Sequence, residues 1–147
     1  MSTFTSSSLE EQNNVGKKAG RSKTGSILVL DDEFDVNTLI KMSLQKHGYD
    51  VFGFTDPLLA LEHFHINKST YSLVISDIRM PIMSGFEFVG KARIINPEVK
   101  ILLMTAFDIN DQEFAGVTSK LKIDGFIQKP ISMGKLNGII DMHMMPK

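Results

Sequence analysis

Asp77 closes the apolar run Leu73-Val74-Ile75-Ser76 and is followed by Ile78-Arg79-Met80-Pro81-Ile82-Met83-Ser84-Gly85. A second acidic group, Asp31-Asp32, closes Ile27-Leu28-Val29-Leu30. Thr105 closes Ile101-Leu102-Leu103-Met104, and Lys129 closes Phe126-Ile127-Gln128. Short continuous apolar runs read as buried strands, and open α/β folds bind their ligands beyond the carboxyl ends of such strands. Four strand ends thus deliver three carboxylates, one hydroxyl and one ammonium. Oxygen ligands suit a divalent cation, and an ammonium with a hydroxyl suits a phosphoryl group.

The rest of the chain supplies the elements that position these groups. Ile27–Leu30 suits a parallel strand covered on both faces. Val36, Leu39, Ile40, Ser43 and His47 mark one face at helical spacing, and Gly48 is a stop signal. Asp50–Phe54 reads as the second strand. Asp56-Pro57 is a cap with proline at the first helical position, followed by an apolar face of Ala60, Leu61 and Phe64. Ser72–Ser76 reads as the third strand. Ser84-Gly85-Phe86-Glu87 has the spacing of a capping box, and Phe86, Val89, Ala92 and Arg93 carry a helix to about Ile95. Asn96-Pro97 ends that helix, and Val99–Met104 is the fourth strand. A helix with poor intrinsic propensity, weakened by Gly116, Val117 and Thr118, begins near Asn110. Ile123–Ile127 is the fifth strand. Ser132 caps a last helix whose buried face is Leu136, Ile139, Ile140 and His143. Strands alternating with helices at this spacing predict a (βα)5 parallel sheet with helices on both faces.

Composition narrows the function classes. The chain has 147 residues, 42% of them hydrophobic and 22% charged, with a net charge of −1 and no cysteine. Near-neutral charge argues against nucleic acid as the main partner. The lack of thiols excludes disulfides and Cys-ligated zinc, and fits a cytoplasmic setting. No apolar run approaches the ~18 residues that a membrane span requires. Residues 1–25 read as a disordered N-terminal tail, rich in Ser and Thr and without apolar periodicity. The tail holds four cations and two glutamates, so residues 26–147, expected to form the single domain, carry −3 of the net −1.

Asp31-Asp32, Asp77-x-x-Met80-Pro81-x-x-x-Gly85, Thr105-Ala106 and Lys129-Pro130 fall in this order, each at the end of its own strand. Together they resemble the receiver domain of bacterial and archaeal response regulators, over about Gly25 to Met145. The resemblance implies a flavodoxin-like doubly wound sheet of strand order 2-1-3-4-5. It implies that Asp77 is the phosphoacceptor. Mg²⁺ would be held directly by Asp32 and Asp77, by Asp31 through water, and by the backbone carbonyl of Arg79. Lys129 would pair with Asp77 and later with the phosphoryl oxygens, across a cis bond to Pro130. Thr105 would donate its hydroxyl to a phosphoryl oxygen, and Phe126 would be the switch aromatic. Arg79 and Phe107 would flank the path of attacking water.

By the same resemblance, a histidine kinase or phosphotransfer protein supplies the phosphoryl group, and the domain signals rather than acts as an enzyme. Its output face, read by a downstream protein, would be the fourth helix, fifth strand and fifth helix; the resemblance also admits a phosphorylation-dependent dimer. Since the pattern stops after the fifth helix, a stand-alone receiver is expected. Rival folds fit less well. A phosphohydrolase with an Asp nucleophile would carry Asp-x-Asp after the first strand, where this chain has Asp31-Asp32-Glu33. A flavin carrier would need a Ser/Thr/Gly phosphate loop at the same place.

Overall fold

The computed structural model describes residues 25–106 and 112–145. Five strands alternate with five helices: β1 Ser26–Leu30, α1 Phe34–Lys46, β2 Asp50–Phe54, α2 Pro57–Ile66, β3 Tyr71–Asp77, α3 Gly85–Ile95, β4 Lys100–Thr105, α4 Gln112–Leu121, β5 Gly125–Gln128 and α5 Met133–Met144. All strand pairs are parallel, in the order β2-β1-β3-β4-β5. The expected tail, Phe107 and the expected start of the fourth helix at Asn110 lie outside the described residues. Among the described residues no helix is long and apolar enough to cross a membrane.

The apolar runs follow from burial on both faces. Residues alternate across the sheet with period two. Leu28, Leu30, Val74, Ile101 and Leu103 meet Ala60, Phe64, Phe88, Val89 and Ala92 on the side of α2 and α3. Ile27, Val29, Leu73, Ile75, Leu102 and Met104 meet Ile40, Leu44, Leu136 and Ile140 on the side of α1 and α5. No residue of Ile27–Leu30 keeps any exposure, so every position of that run must be apolar.

Local signals set the helix starts. Leu58 N–H donates to the Asp56 side chain at 2.9 Å, with Pro57 opening α2. Ser84 and Glu87 complete the capping box of α3 reciprocally. Ser132 accepts from Lys135 N–H at the start of α5.

Several boundaries and faces differ from the sequence reading. The buried stripe of α1 is Asn37, Ile40 and Leu44, while Leu39 is 57% exposed. The stripe rotates because Asn37 Nδ2 donates to the carbonyls of Asp31, at 3.1 Å, and Phe54, at 2.5 Å. Two backbone acceptors at the ends of β1 and β2 thus draw a polar residue inward. On α3, Phe88 is fully buried and Phe86 only half-buried. On α5, Met144 is buried while Ile139 and His143 are half-buried, and β5 begins at Gly125 rather than Ile123. The α5 helix is also tied to the end of α1 through Asp141, which accepts from the Tyr49 hydroxyl and pairs with His47 Nε2 at 2.8 Å.

Candidate functional site

The strand order places β1 beside β3, and the chain leaves these two strands on opposite faces, into α1 and α3, so a crevice opens at their carboxyl ends. Asp31 sits there at the end of β1 and Asp77 at the end of β3. Asp31 is fully buried and Asp77 is 8% exposed, while Asp32 is open to solvent. One oxygen from each of the three can be chosen so that all lie within 4.8 Å of one another. Lys129 Nζ enters from the end of β5. It lies 2.9 Å from Asp31 Oδ2, 3.4 Å from Asp77 Oδ1 and 3.4 Å from Glu33 Oε1.

That geometry changes two details of the sequence reading. Lys129 lies nearer Asp31 than Asp77, and Glu33, which has no part in the site read from the sequence, shares the ammonium. Glu33 N–H also donates to Asp31 Oδ1 at 2.9 Å, which fixes the orientation of the buried carboxylate. Asp31 Oδ2 is buried and accepts no hydrogen bond of sound geometry, although the Lys129 charge is in contact. A buried carboxylate oxygen with acceptor capacity to spare, beside two more carboxylates, is a donor set that fits a hard oxygen-seeking cation such as Mg²⁺.

The electrostatics are those of crowded carboxylates. Burial first and the Asp31 charge second raise Asp77 from an ordinary 3.8 to about 6. The Lys129 charge and hydrogen bond, and the Ile78 backbone, offset only part of it. For Lys129, burial works against the ammonium. The close contact with Asp31 and the charges of Asp31, Asp77 and Glu33 outweigh it and hold the pKa above the ordinary value.

Backbone pairing brings the remaining residues to the crevice. Ile78 N–H donates to the Met104 carbonyl at 3.1 Å, and Lys129 N–H to the Thr105 carbonyl at 2.8 Å. Thr105, buried at the end of β4, therefore stands between the strands that carry Asp77 and Lys129. Phe126 pairs in register with Leu103, two residues before Thr105, so it shares Thr105's face of the sheet. Its ring is half-buried against the core on that side. The Lys129-Pro130 bond is cis. Arg79, two residues past Asp77, has an exposed side chain.

Gly85 explains the glycine of the Asp77 segment. Its N–H donates to the Ile78 carbonyl at 2.8 Å, folding the loop back on itself. A Cβ there would lie 2.2 Å from the Asp77 carbonyl oxygen and 2.9 Å from Ile78 Cα. Backbone atoms cannot yield as a flexible side chain would. Gly85→Ala is expected to lower stability by about 2–3 kcal/mol, the upper range for overpacking, read as a lower urea midpoint. Asn37 is a positioning residue that the sequence reading missed; only an amide at a helical core position hinted at it.

A family model described as the response regulator receiver domain matches residues 27–141. Sporulation initiation phosphotransferase F of Bacillus subtilis is 30% identical over 81 residues, covering 55% of this chain and 64% of that protein. The chemotaxis protein CheY4 of Vibrio cholerae superposes with a TM-score of 0.74 at 26% identity, covering 83% of this chain and 99% of that one. The Thermotoga maritima response regulator TrrA, solved in complex with Mg²⁺ and BeF, superposes with a TM-score of 0.68 at 31% identity, covering 81% and 98%. The chain spans less than two thirds of the length of its curated relatives named first, down to about a quarter of a Klebsiella oxytoca transcriptional regulator.

Proposed function

We propose, because the chain belongs to the response regulator receiver family, that Asp77 accepts a phosphoryl group from a phosphohistidine and that the product signals to another protein. The family is a signalling module working by phosphoacceptance, and the chain carries its acidic pocket of Asp31, Asp32 and Asp77 with Lys129. The observation that carries the residue assignment is the convergence of these carboxylates on one ammonium, 2.9 Å from Asp31 and 3.4 Å from Asp77.

Asp77 is the acceptor because it is the carboxylate at the centre of the sheet whose oxygen faces both the crevice and Lys129. Its oxygen forms the new bond to phosphorus, the nitrogen–phosphorus bond breaks, and the electron pair leaves with the imidazole. Asp31, Asp32 and Asp77, with the carbonyl of Arg79, would hold Mg²⁺. Bound there, the ion supplies positive charge against the phosphoryl oxygens. Lys129 is held charged by its neighbours, so it offers a fixed cation to the same oxygens. Buried Thr105 offers its hydroxyl from the adjoining strand end. A hydrogen bond drawn toward the phosphoryl group there is felt beside Phe126, on the same sheet face. That link biases two states of the surface formed by α4, β5 and α5, which another protein reads.

Acetyl phosphate with Mg²⁺ tests the reading. Intact mass is expected to rise by one phosphoryl group with Mg²⁺ present and to stay unchanged when the ion is chelated. No mass gain at any Mg²⁺ concentration, in protein shown to be folded, would refute it.

A further inference from the structure

The turn that follows Asp77 holds a β-branched residue in backbone geometry that such residues avoid. Ile82 has a φ of 74°, and Met83 N–H donates to the Pro81 carbonyl across it at 2.7 Å. A bond from residue i to i+2 around a φ near +75° is the rare and strained form of γ-turn. Left-handed backbone is ordinarily occupied by glycine, or by Asn or Asp, and a β-branched side chain there is an outlier. Core packing does not compensate, because Ile82 is 76% exposed while its neighbour Met83 is 7% exposed. Neither local preference nor burial accounts for isoleucine at this position. Strain of this kind collects at functional sites.

Its position says which function. Gly85 packs against the Asp77 carbonyl, and three residues span at most about 11 Å, so Ile82 stands close beside the mouth of the crevice. Across the mouth, next to Lys129, Val36, Leu39 and Ile131 line an apolar groove. A small anionic phosphodonor gains nothing from covering an isoleucine. A protein that presents phosphohistidine from an apolar surface does, because its surface extends past the phosphohistidine onto the loop that follows Asp77.

We infer that Ile82 is a specificity-determining contact for the phosphodonor protein, an apolar pin that the surface around the donor's phosphohistidine covers. The inference rests on Asp77 being the acceptor. The test compares Ile82→Gly, Ile82→Asn and Ile82→Val in the full chain. Three quantities are read: thermal midpoint, phosphorylation rate with acetyl phosphate, and phosphotransfer from an autophosphorylated kinase core. The kinase used is the one that transfers fastest to the wild-type chain when those of the source organism are each tried. Ile82→Gly and Ile82→Asn are expected to keep or raise the midpoint and to keep the acetyl phosphate rate. Their kinase transfer is expected to fall about tenfold through a higher KM, equivalent to about 1.4 kcal/mol. Ile82→Val is expected to retain transfer. Wild-type kinase transfer in the Gly and Asn variants would overturn the inference alone, as would a lowered midpoint, which would mean that isoleucine serves the fold. No phosphorylation of wild-type protein by acetyl phosphate would overturn the acceptor reading, and this inference with it.

Discussion

Asp77→Asn is expected to abolish phosphoryl uptake and at the same time to raise stability at neutral pH. Loss of uptake follows from removing the nucleophilic oxygen. The gain in stability follows from the crowding that lifts Asp77 to about 6. A carboxyl whose folded pKa lies above its unfolded value stabilises the fold while protonated, and that contribution is lost as pH rises through the folded pKa. Wild-type protein thus surrenders stability between about pH 4 and pH 6, where the unfolded chain ionises more easily than the folded one. The asparagine variant surrenders none of this. A gap of two pH units corresponds to almost 3 kcal/mol, and partial solvent access reduces the expected gain to about 2 kcal/mol in metal-free buffer above pH 6. The difference should vanish below about pH 4 and shrink when Mg²⁺ neutralises the wild-type cluster. Urea midpoints across that pH range check the prediction. A variant less stable than wild type at pH 7 without metal would contradict the electrostatic account.

Lys129→Met is expected to do the reverse to stability. It keeps the length of the stem but removes the ammonium in contact with fully buried Asp31. Removing one partner of a buried pair typically costs about 3–5 kcal/mol, because the remaining charge is left without compensation. The lower end applies here, since Lys129 keeps some exposure. The loss should be greatest in metal-free buffer near neutrality. It should fade on acidification, as Asp77 is protonated, and recover with Mg²⁺. Acceptance from acetyl phosphate should slow even when Mg²⁺ restores the midpoint, since one cation facing the phosphoryl oxygens is gone. Denaturation with and without Mg²⁺ separates the two effects. A variant as stable as wild type in chelator would show that Lys129 does not offset Asp31.

The site was legible because each of its residues interrupts a pattern. Strands covered on both faces have no tolerance for polarity, so Asp31, Asp77, Thr105 and Lys129 stand out at the ends of apolar runs. The capping box at Ser84 and the cap at Asp56 were equally plain, since both are made within one turn of chain. What stayed hidden depends on contacts between distant segments. Helical periodicity alone put Leu39 on the buried face of α1; the carbonyls of Asp31 and Phe54 put Asn37 there. The same holds for Arg93, read only as part of a helix face. Its guanidinium donates to the carbonyls of Leu121, Pro97, Val99 and Lys122, which join α3 to the end of α4 and the start of β4. The strand order came from resemblance, because right-handed crossovers restrict the arrangements of five parallel strands without selecting one. Nothing in the letters Pro81-Ile82-Met83 announced a left-handed φ, since isoleucine is among the residues least expected to adopt it.

The central claim, that Asp77 carries the phosphoryl group, is tested most directly by locating it. Protein treated with acetyl phosphate and Mg²⁺ is reduced with borohydride, which converts an aspartyl phosphate to homoserine, and is then digested and sequenced by mass spectrometry. The account predicts homoserine at position 77, in an amount that follows the phosphoryl uptake, and none in the Asp77→Asn variant. Homoserine at position 31 or 32, or phosphate retained on a serine, threonine or histidine with Asp77 unmodified, would contradict it.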